Sequence, residues 1–135
     1  MRLSLIVLSA ALLGGCAAVT KSDAQLLEET LDTYAAVIRW GNFEEALSFV
    51  DPETLKSHPV TDLDLQRYHQ VQVTAYNEQP ARHVGEHEVH QTVEIGLANR
   101  NTQQVRAIID RQVWHFDEKA HQWWLVSGLP DITVH

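Results

Sequence analysis

Gln104-Val105-Arg106-Ala107-Ile108-Ile109-Asp110-Arg111-Gln112-Val113-Trp114-His115-Phe116, Asp117-Glu118-Lys119-Ala120, His121-Gln122-Trp123-Trp124-Leu125-Val126: this run, near the end of the 135-residue chain, reads as strand, charged turn and strand. β-branched and aromatic side chains dominate both arms, as a pleated and half-buried surface requires. Ala107-Ile108-Ile109 is apolar at both parities, so the middle of the long arm is expected to be covered on both faces or bulged. Trp123 and Trp124 fall on opposite faces. In the simplest register Trp114 and Trp124 share a face, and that face is expected to form core. Gly128-Leu129-Pro130 ends the hairpin.

Working back from this hairpin, the alternation continues. Glu88–Leu97 places Val89, Val93, Ile95 and Leu97 on one side and Glu88, His90, Thr92 and Glu94 on the other. Tyr68–Tyr76 alternates too, with Val71, Val73 and Ala75 sharing a side. Asn77–Gly85, with Pro80, reads as an irregular excursion, and Val60–Leu65 reads as loop.

Further back the period changes to helical. Ser22-Asp23-Ala24-Gln25 has the spacing of a capping box. Leu27, Leu31, Tyr34 and Ile38 then form an apolar stripe, widened by Leu26, Ala35 and Val37. Gly41 is placed to stop this helix and Asn42 to cap the next, over Phe43–Val50. Pro52 is placed to start a short turn over Glu53–Ser57. Helices followed by antiparallel strands make an α+β domain, with N-terminal helices packed on a curved antiparallel sheet of about four strands.

That layout resembles the nuclear transport factor 2-like fold. The resemblance rests on a long helix, the short Gly-Asn-Phe-Glu-Glu-Ala-Leu helix, Asp-Pro-Glu, then long strands, from about Asp23 to Ile132. A cystatin-like sheet around one helix is the alternative layout.

The first residues carry a different signal. Met1-Arg2 is followed by the apolar run Leu3–Leu13 and then Gly14-Gly15-Cys16, the only cysteine. The apolar stretch has the length of an export signal and is short for a membrane span of about 20 residues. Leu13-Gly14-Gly15-Cys16 resembles the lipobox of bacterial lipoproteins. The resemblance implies cleavage between Gly15 and Cys16 and acylation of Cys16 by a diacylglyceryl group and an N-acyl chain such as palmitate. An ordinary secretory signal and an uncleaved anchor are the alternatives. Ala17, rather than Asp, follows the cysteine, which by the same resemblance implies forwarding to an outer membrane facing the periplasm. The expected organisation is a signal peptide over 1–15, a lipidated tether over 16–22 and one domain over 23–135.

Loss of Arg2 would leave nine cationic side chains against eighteen acidic ones, a net charge of −9. Such a surface repels nucleic acid and anionic lipid heads, so no nucleic-acid partner is expected and the membrane contact is the lipid on Cys16. With Cys16 acylated, no disulfide and no thiolate site is available.

Among chemistry-bearing residues, eight histidines invite a metal reading. His87 and His90, three apart on a strand, face opposite sides, so no metal and no cofactor is expected. Glu88 and His90 share a face that His69, His83 or His115 could join from neighbouring strands. Tyr34, Asp110 and His115 are the residue types that acid–base catalysis uses. Asp110, in an apolar strand, is expected to pair with Arg106, Arg111 or another cation, or to have a raised pKa. Tyr34, Asp110, Trp114 and Trp124 are the candidate pocket or contact residues.

The expected function is a non-catalytic binding or envelope-assembly accessory module. Its candidate partners are an envelope protein, a small apolar ligand, or a second copy meeting through the sheet. The alternative is a small isomerase, dehydratase or hydrolase with a cone-shaped cavity, the activities that the nuclear transport factor 2-like resemblance implies.

Overall fold

The computed structural model describes residues 21–134, so Gly15 and Cys16 lie outside the described residues. Helix α1 spans Asp23–Arg39. The Ser22 hydroxyl accepts from the Gln25 N–H, and the Gln25 side chain accepts from the Ser22 N–H, which satisfies two orphan donors at the helix start. Leu27, Leu31, Tyr34, Ala35, Val37 and Ile38 are all buried, as the stripe predicts. Gly41 ends the helix at φ +72°, a left-handed conformation that glycine adopts without a Cβ penalty.

Asn42 caps α2, Phe43–Ala46, through the Glu45 N–H. The helix expected over Phe43–Val50 stops at Ala46. It tightens into a 3₁₀ turn over Leu47–Phe49, because Val50 is extended and bridges Leu125, while the Asp51 N–H donates to the Leu125 carbonyl. Asp51 then caps α3, Pro52–Ser57, through the Thr54 N–H.

The expected loop over Val60–Leu65 is a correction. Asp62–His69 forms α4, opened by a capping box of Thr61 and Asp64. Eight residues with one buried side chain, Tyr68, carry too little periodicity to register. Tyr68 therefore belongs to a helix, stacked on Phe43 at 4.4 Å between ring centroids, rather than to a strand.

The strands are β1 (Val71–Glu78), β2 (Arg82–His83), β3 (Glu88–Asn99), β4 (Val105–Asp117) and β5 (Gln122–Leu125). They form one antiparallel sheet of order β1-β3-β4-β5, with β2 paired to β3, curled into a half-barrel around the helices. Val89, Val93, Ile95 and Leu97 of β3 face inward as read from the alternation.

Two expected strand faces are corrected. The β1 register shifts between Val73 and Ala75, so the parity flips and Tyr76, not Ala75, is the next buried residue after Val71 and the half-buried Val73. Gly96 lies opposite this bulge. A Cβ there would come within 2.6 Å of Thr74 Oγ1 and 3.2 Å of the Ala75 backbone nitrogen, so only glycine fits without movement. β4 is neither doubly covered nor bulged. Its register with β3 runs unbroken from Glu88↔His115 to Ala98↔Val105. Ile108, Asp110, Gln112, Trp114 and Phe116 point inward, while Val105, Ala107 and Ile109 face outward and are exposed.

The hairpin also corrects one tryptophan. Trp123 and Leu125 are inward, and Trp124, opposite His115, sits on the outer face. Trp114 packs edge-on against Tyr34 of α1 at 5.2 Å. Trp123, not Trp124, joins it in the core, where it packs on Phe116 and its indole N–H donates to the Asp23 carbonyl. The C-terminal segment is tied back by Tyr68, whose hydroxyl donates to the Pro130 carbonyl, and by Arg106, whose guanidinium donates to the Ile132 and Val134 carbonyls. One core cluster draws on α1, α2, α4, four strands and Ile132.

Candidate functional site

Three of the four candidate residues converge inside the half-barrel. Asp110 and Trp114 are two steps either side of Gln112 on β4, so all three side chains point to the same interior. The Trp114 indole N–H donates to Gln112 Oε1 at 3.1 Å. Gln112 Nε2 donates to Asp110 Oδ2 and to the Tyr76 hydroxyl, each at 2.9 Å. From α1, Tyr34 closes the array against Trp114 and Phe49, and its hydroxyl is buried without a hydrogen-bond partner among the described residues. Gln112 and Tyr76 went unremarked in the sequence. Their signal was polar residues at inward parity on β4 and at the bulged end of β1.

The electrostatics follow from burial. Asp110 is 8% exposed and takes part in no salt bridge among the described residues. Of the two expectations for Asp110, the ion pair is corrected and the raised pKa is the one that burial gives. Arg106 is spent on the C-terminal carbonyls, and Arg111 lies at outward parity on β4. Burial pushes the Asp110 carboxyl up to about 6, against the lowering effect of the Gln112 hydrogen bond. Burial, and then the nearby Asp110, raise the Tyr34 hydroxyl well above its usual range. Burial lifts Tyr76 to about 12. The Arg39 guanidinium lies over the Tyr76 ring at 5.1 Å from the centroid.

This array has the groups for proton transfer. A reacting molecule would need space beside the carboxyl. Tyr34 and Trp114 are both at 0% exposure and Asp110 is at 8%, so neighbouring side chains cover most of the array. A hydrogen-bonded array of this kind specifies how a core packs.

Open space lies elsewhere. A groove of about 370 Å³ runs between α3, α4 and the segment Val126–Leu129, floored by Val50, Leu55, Val60 and Leu129 and edged by His58 and Asp64. A second concavity of about 350 Å³ lies at the sheet end, where Trp124 and His115 meet Asp117, Glu118 and His87. His115, the third acid–base residue type, is thus on the outer face, away from Tyr34 and Asp110.

The histidines are dispersed. His87 lies 3.1 Å from Glu118, His90 lies 3.5 Å from Glu88 on their shared face, and His69, on α4 rather than a strand, lies 3.1 Å from Glu44. Among the described residues no group of three or more His, Cys, Asp or Glu is placed to hold a metal ion. Trp40, just past α1, is 87% exposed. No family model matches the chain, and a search of curated proteins returns no match.

Proposed function

We propose that this chain is a lipid-anchored envelope protein whose folded part is a non-catalytic binding or assembly-accessory module of the nuclear transport factor 2-like kind. The observation that carries the reading is Leu13-Gly14-Gly15-Cys16 directly behind an apolar export-length run. Cleavage before Cys16 and its acylation would hold the protein on a membrane, the outer one by the rule that reads Ala17. A non-catalytic role is favoured by the burial of Tyr34 and Trp114 and the 8% exposure of Asp110, which leave a substrate little access. The outward residues Val105, Ala107 and Ile109 offer an apolar strip on the sheet for an envelope protein or a second copy of this chain.

Cys16→Ser tests the anchor. Labelling with a radioactive fatty acid is expected to be lost, and the chain is expected to remain uncleaved or to leave the membrane fraction. Unchanged labelling and partition would overturn the assignment. The small isomerase, dehydratase or hydrolase remains the second reading, because a carboxyl with a pKa near 6 lies beside a buried tyrosine. Turnover that disappears in Asp110→Asn while the fold is kept would establish it.

A further inference from the structure

The groove beside α4 differs in character from the rest of the surface. Its floor is aliphatic, from Val50, Leu55, Val60 and Leu129. Its lining includes no Lys or Arg, and its carboxylate is Asp64. The Thr61 backbone N–H and hydroxyl bond Asp64 Oδ2 and hold the carboxyl below its usual range, so it is charged at every physiological pH. Arg67 pairs with the other oxygen at 3.3 Å from the neighbouring concavity, so a cationic head would share the carboxylate with Arg67, and His58 is a further titratable residue of the groove lining. The Tyr68 hydroxyl is spent on Pro130. Gly128 forms part of the wall at φ +79°, and a Cβ built there would meet nothing within 4 Å. The whole chain is strongly acidic, which adds a long-range attraction for cations.

We propose that this groove binds an amphiphile with a single apolar chain and a cationic head, the chain along Val60 and Leu129 and the head at Asp64. The volume falls in the range of small-ligand sites, about 300–1,000 Å³. The inference deepens the binding-module reading and rests on it. Chain geometry supports a membrane source. The Trp123 indole holds Asp23 at the root of α1, and Val126 is three residues farther along, about 10 Å in extended chain. Cys16 is seven residues before Asp23, a reach of at most about 25 Å. An anchored domain therefore carries the groove within a few tens of ångströms of the bilayer surface.

The test uses the isotopically labelled full chain, titrated with decyltrimethylammonium, decyl sulfate or decyl maltoside, each below its micelle concentration. Saturable amide shifts are expected at Leu55, Val60, Gly128 and Leu129, with the ammonium binding roughly 5-fold tighter than the sulfate, the size of one partly exposed ion pair. Asp64→Asn is expected to equalise the three heads while keeping chain binding. Val60→Trp, at a partly exposed position, is expected to block all three while the spectrum stays dispersed. Absence of saturable shifts in the wild type, or equal affinity for sulfate and ammonium, would overturn the proposal. Fatty-acid labelling of Cys16 is unaffected by either result, so failure of the groove and failure of the anchor are told apart.

Discussion

Asp110 is buried without a cation partner, and that sets the pH response of the domain. Its carboxyl titrates at about 6 when folded and near 3.8 when unfolded. The folded state thus binds the proton more tightly. The stabilisation is fully present below about pH 4 and is lost as pH rises to about 6. At about 1.36 kcal/mol per unit the span is near 3 kcal/mol. Denaturation curves of wild type and Asp110→Asn between pH 4 and 7 are expected to diverge by about 2–3 kcal/mol, the Asn variant lacking this slope. Parallel curves would mean that the carboxyl is solvated. At Tyr34 the hydroxyl is buried and unpartnered. Removing an unsatisfied buried donor is neutral or stabilising, so Tyr34→Phe is expected to raise stability by up to about 1 kcal/mol in the same assay. A loss of more than about 1 kcal/mol would mean that the hydroxyl holds a water or ligand. Asp110 stood out in the sequence as a charge in an apolar strand. That its arginine neighbours turn elsewhere was not legible, because it depends on where the C-terminal carbonyls arrive.

Within the hairpin, adjacent tryptophans have opposite fates. Trp123 is inward beside Phe116, whereas Trp124 faces out beside His115. Truncating a buried aromatic costs about 3–5 kcal/mol, so Trp123→Ala is expected to lower the unfolding midpoint severely, and Trp124→Ala by less than about 1 kcal/mol. Equal losses would mean that the register is off by one residue. Alternation showed that the two rings part company. Which of them faces the helix was set by pairing with β4, and a one-residue change of register reverses it. The β1 bulge teaches the same lesson. Strict alternation predicted Ala75 inward, but the extra residue at Thr74 delivers Tyr76 to Gln112. Gly96→Ala should cost about 1 kcal/mol or more in thermal denaturation, since its Cβ would collide with Thr74. A neutral outcome would mean that the bulge yields freely.

At the scale of the whole molecule, the C-terminal segment is tied to both α4 and β4. Two ties hold it, Tyr68 to Pro130 and Arg106 to the Ile132 and Val134 carbonyls. Each is worth about 1 kcal/mol for Tyr68 and about 1.5–3 kcal/mol for the charged donor. Tyr68→Phe combined with Arg106→Ala is expected to speed hydrogen exchange across Gly128–Val134 at least 10-fold, while β3 and β4 amides keep their protection. Uniform acceleration would show that the segment is part of the global folding unit. The groove beside α4 shares this wall, so the double variant should also loosen it.

The sequence by itself determined the helix α1 with both of its ends, the α+β class, the inward face of β3 and the acidic balance. Each is a local signal: a capping box, a period of 3.6 or 2, a charge count. Tertiary structure decided the rest. α4 forms because Tyr68 finds Phe43 and Pro130, contacts 25 and 62 residues away in the chain. The array of Tyr34, Tyr76, Asp110, Gln112 and Trp114 is drawn from α1, β1 and β4. Its members meet only because a bulge and an unbroken register bring those elements face to face, and no local window of sequence contains that geometry.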